Sequence, residues 1–159
     1  MSPRNETPEP IDSPGRRRLP PLLRRSWYGL NQAFRRRIAH LNLTPDQFTV
    51  LRTLLEGDPK GMTQRELSRT MSSDPNTVAS LLERMEKAAY VERAAHESDR
   101  RAHRIRLLAK GVKGYEAGRA EALKLQGEIL SVLPESARES FLEQLALVAD
   151  ACRDSAEPR

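Results

Sequence analysis

The chain has 159 residues, 38% of them hydrophobic, with 27 Lys and Arg against 22 Asp and Glu, for a net charge of +5. That length fits one compact domain of moderate core, or a small domain with helices for self-association, and argues against a separate large catalytic domain. A single cysteine, Cys152, rules out an intrachain disulfide and fits a reducing compartment. No apolar run approaches the roughly 18 residues that span a bilayer and the start lacks the apolar core of a signal peptide, so a cytoplasmic location is expected.

Residues 1–21 hold six prolines, few large apolar groups and the run Arg16-Arg17-Arg18. Such a segment cannot offset the entropy of ordering, which predicts a flexible tail whose arginines are solvated or touch phosphates without selectivity. From Leu22 the residues Leu23, Trp27, Leu30, Phe34, Ile38 and Leu41 recur at three and four, one apolar stripe on a helix of about six turns. Thr44-Pro45-Asp46-Gln47 opens a second helix, with Thr as N-cap, Pro at the first helical position and Gln as capping-box partner; Phe48, Leu51, Leu54 and Leu55 form its expected inner face. Gly57-Asp58-Pro59-Lys60-Gly61 makes a turn, and Thr63-Gln64-Arg65-Glu66 is a second capping box, opening a short helix with Leu67 and Met71 inward.

Asp74-Pro75 starts the next helix, on which Val78, Leu81, Leu82 and Met85 recur at i, i+3, i+4 and i+7. Tyr90–Arg93 and Arg104–Leu107 alternate in polarity and predict two antiparallel strands with Val91, Ile105 and Leu107 inward, joined by a ten-residue loop from Ala94 to His103. After Lys110 a helix resumes, weakened by Gly111, Gly114, Gly118 and Gly127 and broken at Pro134. A last helix carries Phe141, Leu142, Leu145, Val148 and Ala149 on one side. The expected fold class is therefore mainly α with a small two-stranded antiparallel wing. Residues 44–108 would form a winged helix-turn-helix lobe, flanked at 22–43 and 109–153 by helices that need a partner surface.

A helix that buries Val78, Leu81, Leu82 and Met85 turns Asn76, Thr77, Ser80 and Arg84 outward. Short polar groups of this kind reach base edges, and a B-DNA major groove about 12 Å wide admits the helix. Its N-terminal backbone N–H groups would offer a phosphate site. An ordinary amphipathic surface helix has the same stripe. The following loop adds Arg93, Arg100, Arg101, Arg104 and Arg106, with His96 and His103 beside them. Guanidinium groups suit the narrow, negative minor groove of A·T tracts, and Asp99 can hold Arg101 or Arg84 by a charge-assisted hydrogen bond.

In order, LTPDQFTVLRTLL, MTQRELSRTM, DPNTVASLLERMEKAAYVER and DRRAHRIRLLAKG resemble the MarR family of bacterial transcriptional regulators, over roughly residues 22–150. The resemblance implies an obligate homodimer whose first and last helices, the dimerisation helices at 22–43 and 109–153, interlock and whose two winged lobes straddle a pseudo-palindrome. It places the recognition helix on Asp74 to Ala88 and the wing's minor-groove arginine on Arg101. The candidate DNA contacts are Thr63, Gln64, Ser73, Pro75, Asn76, Thr77, Ser80, Arg84, Arg100, Arg101, His103 and Arg104, with Asp99 bracing the wing. Two positions depart from the pattern. Ala89-Tyr90 replaces a Gly-Leu pair, removing the glycine that eases a left-handed helix end, and Ala109 stands where the helix after the wing commonly begins with Thr.

The function these features predict is a sequence-specific DNA-binding regulator, a homodimeric repressor released by a small aromatic or carboxylate effector. Trp27, Phe34 and Tyr115 are candidates for lining an effector pocket, although dimer core is the favoured explanation because a stripe at helical spacing is packing by default. A winged-helix module that grips protein, or a nonspecific architectural DNA binder, are the rival readings. No enzyme, cofactor or metal is expected: His40, His96 and His103 share no ligand spacing with Cys152, and no Gly-rich phosphate loop occurs. Cys152 is expected to be a partly buried structural residue, because related thiol sensors carry the reactive cysteine near the N-terminus.

Overall fold

The computed structural model describes residues 10–11, 13–99 and 101–157. Its first helix, α1 (Leu19–Ile38), begins three residues before the expected boundary. Pro20 and Pro21 thus belong to its first turn, where a missing N–H leaves no helical bond unmade. A single 3-10 turn (Ala39–Leu41) follows, and Asn42 then takes a left-handed conformation at φ 55°.

Helix α2 (Pro45–Glu56) and helix α3 (Gln64–Thr70) both start with the capping boxes read from the sequence. Thr44 Oγ1 accepts the Gln47 N–H while Gln47 Oε1 accepts the Thr44 N–H. Thr63 and Glu66 exchange the same pair of bonds. Helix α4 (Pro75–Lys87) follows a short turn, and helices α5 (Ala109–Leu130) and α6 (Glu135–Ala156) complete the chain. Leu55, expected to face inward on α2, is 44% exposed.

The sheet has three strands rather than the two expected: β1 (Met62–Thr63), β2 (Val91–Ala95) and β3 (His103–Leu107), in the order β1-β3-β2. A two-residue strand has no alternation to read, which is why β1 escapes a pattern search. It pairs antiparallel with β3 through Met62 opposite Ile105. Gly61, at φ 95°, makes the approach possible: a Cβ there would lie 2.4 Å from the Ile105 carbonyl oxygen. The β2–β3 pairing extends to Ala95 opposite His103, so the intervening loop runs only from residue 96 to 102 and not from Ala94 to His103.

The core joins Phe48, Val50, Leu51 and Leu54 of α2 to Leu67 of α3 and to Val78, Leu81, Leu82 and Met85 of α4, closed below by Val91 and Ile105. Each such side chain contributes about 1.5–3 kcal/mol relative to an exposed position. From α1 only Ile38 joins this core. Helix α5 runs unbroken past its glycines, of which Gly111, Gly114 and Gly118 face the lobe; a Cβ on Gly118 would meet the Phe48 ring at 2.6 Å. Helix α6 buries no residue, and Phe141, Leu145 and Leu147 stand exposed.

Candidate nucleic-acid interface

Helix α4 divides as its sequence periodicity requires. Val78, Leu81, Leu82 and Met85 are buried, while Asn76, Thr77, Ser80 and Arg84 are exposed. Two devices fix its pose. At its start Asp74 Oδ1 accepts the N–H groups of Asn76 (2.9 Å) and Thr77 (3.1 Å), and Gln64 Nε2 donates to the Pro75 carbonyl across the α3–α4 turn. The first of these corrects the expected phosphate site: the Asp74 carboxylate already occupies those N–H groups.

Both helices of the pair end in the same way without glycine. Ser72 at φ 51° follows α3 and Ala89 at φ 58° follows α4. The N–H of Ala89 donates to the Glu86 carbonyl and that of Tyr90 to the Met85 carbonyl, the paired bonds of a Schellman end, and Ser72 and Ser73 repeat them onto Arg69 and Ser68. Lys110 supports the second end, donating to the Ala88 carbonyl at 2.7 Å and lying 4.6 Å over the Tyr90 ring. The N-cap of α5 falls on Leu108, one residue before Ala109, and no side chain caps it.

In the wing, three arginines are committed to the lobe itself. Arg93 pairs with Glu86, Arg106 donates to the Lys60 carbonyl, and Arg104 reaches both Glu97 and the Gly61 carbonyl. Arg104 therefore pins β3 to the turn before β1. The resulting pair holds the Glu97 carboxyl below the usual carboxylate range, through a backbone N–H first and the Arg104 hydrogen bond second. Glu66 is lowered as well, chiefly by the Thr63 N–H. Arg101 and His103 are exposed, and Arg101 enters no ion pair among the described residues. Asp99 braces this arginine through its backbone: Asp99 Oδ1 accepts the Arg101 N–H at 2.9 Å, not the guanidinium. Arg100 lies outside the described residues.

Of the other candidate contacts, Thr63 keeps its hydroxyl on Glu66, and Ser73 Oγ donates to the Met71 carbonyl. The residues brought together on one exposed face are those of α4. His96, which the sequence places beside the loop arginines without a role of its own, accepts the Ser98 and Asp99 N–H groups at the wing tip; its position two and three residues before them is the available signal.

The candidate effector residues do not assemble. Phe34 packs edge-on and Tyr115 stacked against Phe48, at 5.0 and 5.5 Å between ring centroids, whereas Trp27 is 63% exposed. A cleft of about 1070 Å³ lies elsewhere, between Leu23, Ser68 and Pro75 on one side and Leu145, Val148 and Cys152 on the other. Cys152 itself is exposed, contrary to expectation. No helix is long and apolar enough to cross a membrane among the residues searched.

A family model described as the MarR family matches residues 41–102. The chain is 29% identical over 123 residues to the HTH-type transcriptional regulator TtmR of Methylorubrum extorquens (strain PA1), covering 77% of this chain and 61% of that protein, so it spans less than two thirds of that relative's length. Among solved structures it is similar to the complex of S. aureus MepR with DNA, with a TM-score of 0.77 and 21% identity over 86% of this chain and 99% of that one. It is also similar to CouR from Rhodococcus jostii RHA1 bound to p-coumaroyl-CoA, with a TM-score of 0.71 and 23% identity over 80% and 89%. The MarR family model thus falls on the winged helix-turn-helix lobe, residues 41–102, and the fold of the chain is that of the MarR-type winged-helix structures it resembles.

Proposed function

We propose that the chain is a homodimeric repressor that reads a pseudo-palindromic operator, with α4 of each copy in a major groove and each wing on a flanking minor groove. The observation that carries this reading is the division of α4, whose exposed face is short and polar while the opposite face is locked into the core. A protein-gripping module would present an apolar or acidic face there. In the pairing of two lobes, recognition helices enter successive grooves, and half-sites are centred about 10 base pairs apart.

The dimer reading draws on the apolar groups left uncovered: Trp27 and Leu30 on α1, Leu123 and Ile129 on α5, Phe141 and Leu147 on α6. Base reading falls to Asn76, Thr77 and Ser80, with Arg84 at the rim, and minor-groove anchoring to Arg101 and His103. MepR in complex with DNA supports the partner, and CouR with its bound CoA ester supports an effector. The cleft between the start of α4 and α6 would accept a small aromatic or carboxylate ligand. Such a ligand relieves repression by binding one spacing of the lobes better than the other, since equal affinity for both shifts nothing.

The test compares variants on a duplex selected from a random pool and on random DNA. Asn76→Ala and Thr77→Ala should weaken the selected duplex far more than random DNA. Arg101→Ala should weaken both and lower the salt slope by about two for the dimer, one phosphate-level contact per lobe. Equal losses on every sequence from all three variants would contradict the assigned roles.

A further inference from the structure

The wing tip is folded around a side chain that has no part in the DNA contacts proposed above. His96 Nδ1 accepts the backbone N–H groups of Ser98 and Asp99, each at 3.3 Å, and Ser98 Oγ lies 3.4 Å from the same nitrogen. Asp99 in turn accepts the Arg101 N–H on Oδ1 at 2.9 Å and the Ala102 N–H on its carbonyl at 3.2 Å. The Ala102 carbonyl then accepts the N–H of His96 at 3.3 Å. The bonds run in series around the loop: His96 fixes Asp99, Asp99 fixes Arg101, and Ala102 closes the circuit on His96. A ring nitrogen that accepts N–H groups carries a lone pair, so the ring is neutral with its proton on Nε2.

We infer that His96 is a positioning residue for DNA binding: its bare Nδ1 sets the wing-tip conformation that presents Arg101, and a second ring proton undoes that conformation. The inference rests on the DNA-binding reading above. A proton on Nδ1 makes this atom a donor facing two N–H donors, so both bonds are lost together. Imidazole is the side chain suited to such a change within the range of about pH 5 to 8. Among the described residues, the charged and titratable groups around the ring include Glu66 at the start of α3, Glu97, Asp99 and Arg101 in the loop, and His103 and Arg104 on β3; Arg93 of β2 is paired with Glu86 on α4. Glu66 and Glu97 lie within electrostatic reach of the ring.

Asparagine separates the two properties of this residue. Its side-chain oxygen accepts N–H groups two and three residues on, as in an Asx turn, and it does not titrate. The full-length wild type, His96→Asn and His96→Leu are compared at pH 7.5 and 5.5 at constant ionic strength. The probe is the duplex that the wild type selects from a random pool, and amide spectra of the free proteins are recorded alongside. At pH 7.5 His96→Asn should bind within about twofold of wild type and His96→Leu about five- to tenfold more weakly, the effect of two exposed hydrogen bonds. At pH 5.5 the ratio of wild-type Kd to His96→Asn Kd should rise about fivefold, on the same basis. Every other side chain, His103 included, is common to both proteins and cancels in that ratio. The Ser98, Asp99 and Arg101 amide signals should move together on acidification in the free wild type and stay in place in His96→Asn. A ratio independent of pH, or full affinity in His96→Leu, overturns the inference, as does the absence of coupled amide shifts. The amide titration needs no DNA, so a failure to select any duplex would count against the DNA-binding reading, while the spectra still decide whether His96 organises the tip.

Discussion

The lobe and the helices that flank it differ in how far they complete themselves. Among the described residues, all but one of the core side chains lie between Leu43 and Ile105, the exception being Ile38 at the end of α1. Helix α6 has 22 residues and buries none of them. The lobe is therefore a rigid head whose shape one chain determines, since packed interiors deform little. The apolar groups that α1, α5 and α6 leave exposed are uncovered within one chain, and in the proposed dimer a second copy covers them. On that proposal the distance between two reading heads would be set by helices whose packing a ligand could alter, while each head keeps its own geometry.

The sharpest way to break this contrast is to charge the outer helix. Phe141→Asp combined with Leu145→Asp should leave the lobe folded, as judged by circular dichroism, yet convert the protein to a monomer in sedimentation. Its affinity for the selected duplex should fall by about two orders of magnitude or more, the loss of bivalent engagement. A change inside the head should behave in the opposite way. Leu82→Ala, at a fully buried position, should cost about 3 kcal/mol in chemical denaturation wherever the cavity cannot collapse.

Smaller effects test the helix ends that aim α4. Thr63→Ala removes a capping box and should cost about 1 kcal/mol of lobe stability at neutral pH. The Glu66 carboxyl is held below its ordinary value in the folded protein, so its contribution is fully present above the unfolded value and is lost as the pH falls through the folded one. Acid titration of stability should therefore be shallower in Glu66→Gln than in wild type. Ala89→Gly should act in the other direction and stabilise the protein by about 1 kcal/mol, because the residue sits at φ 58° where an L side chain is strained. Thermal denaturation reads both changes.

Much of the head could be read from residue patterns, because local chemistry and tertiary packing agree there. Thr44, Thr63 and Asp74 announce three helix starts, and the spacing of Val78, Leu81, Leu82 and Met85 separates the buried from the exposed face of α4. What escaped the sequence reading depends on contacts distant in the chain or on one atom's orientation. Strand β1 exists because Arg104 and Gly61 bring two residues beside β3. Asp74 both caps α4 and fills the N–H groups that looked open to phosphate. Asp99 holds a backbone N–H rather than a guanidinium, and an acceptor nitrogen on His96 cannot be told from a donor without the loop around it. The apolar stripes of α1 and α6 were apparent as stripes. Their periodicity is the same whether the covering surface lies in the same chain or in a second copy.

Sequencing the DNA that the purified protein selects from a random pool tests the central claim most directly. The account predicts an inverted repeat with half-site centres about 10 base pairs apart, one for each copy of α4. Enrichment of a single unsymmetric half-site, or of no sequence at all, would contradict it.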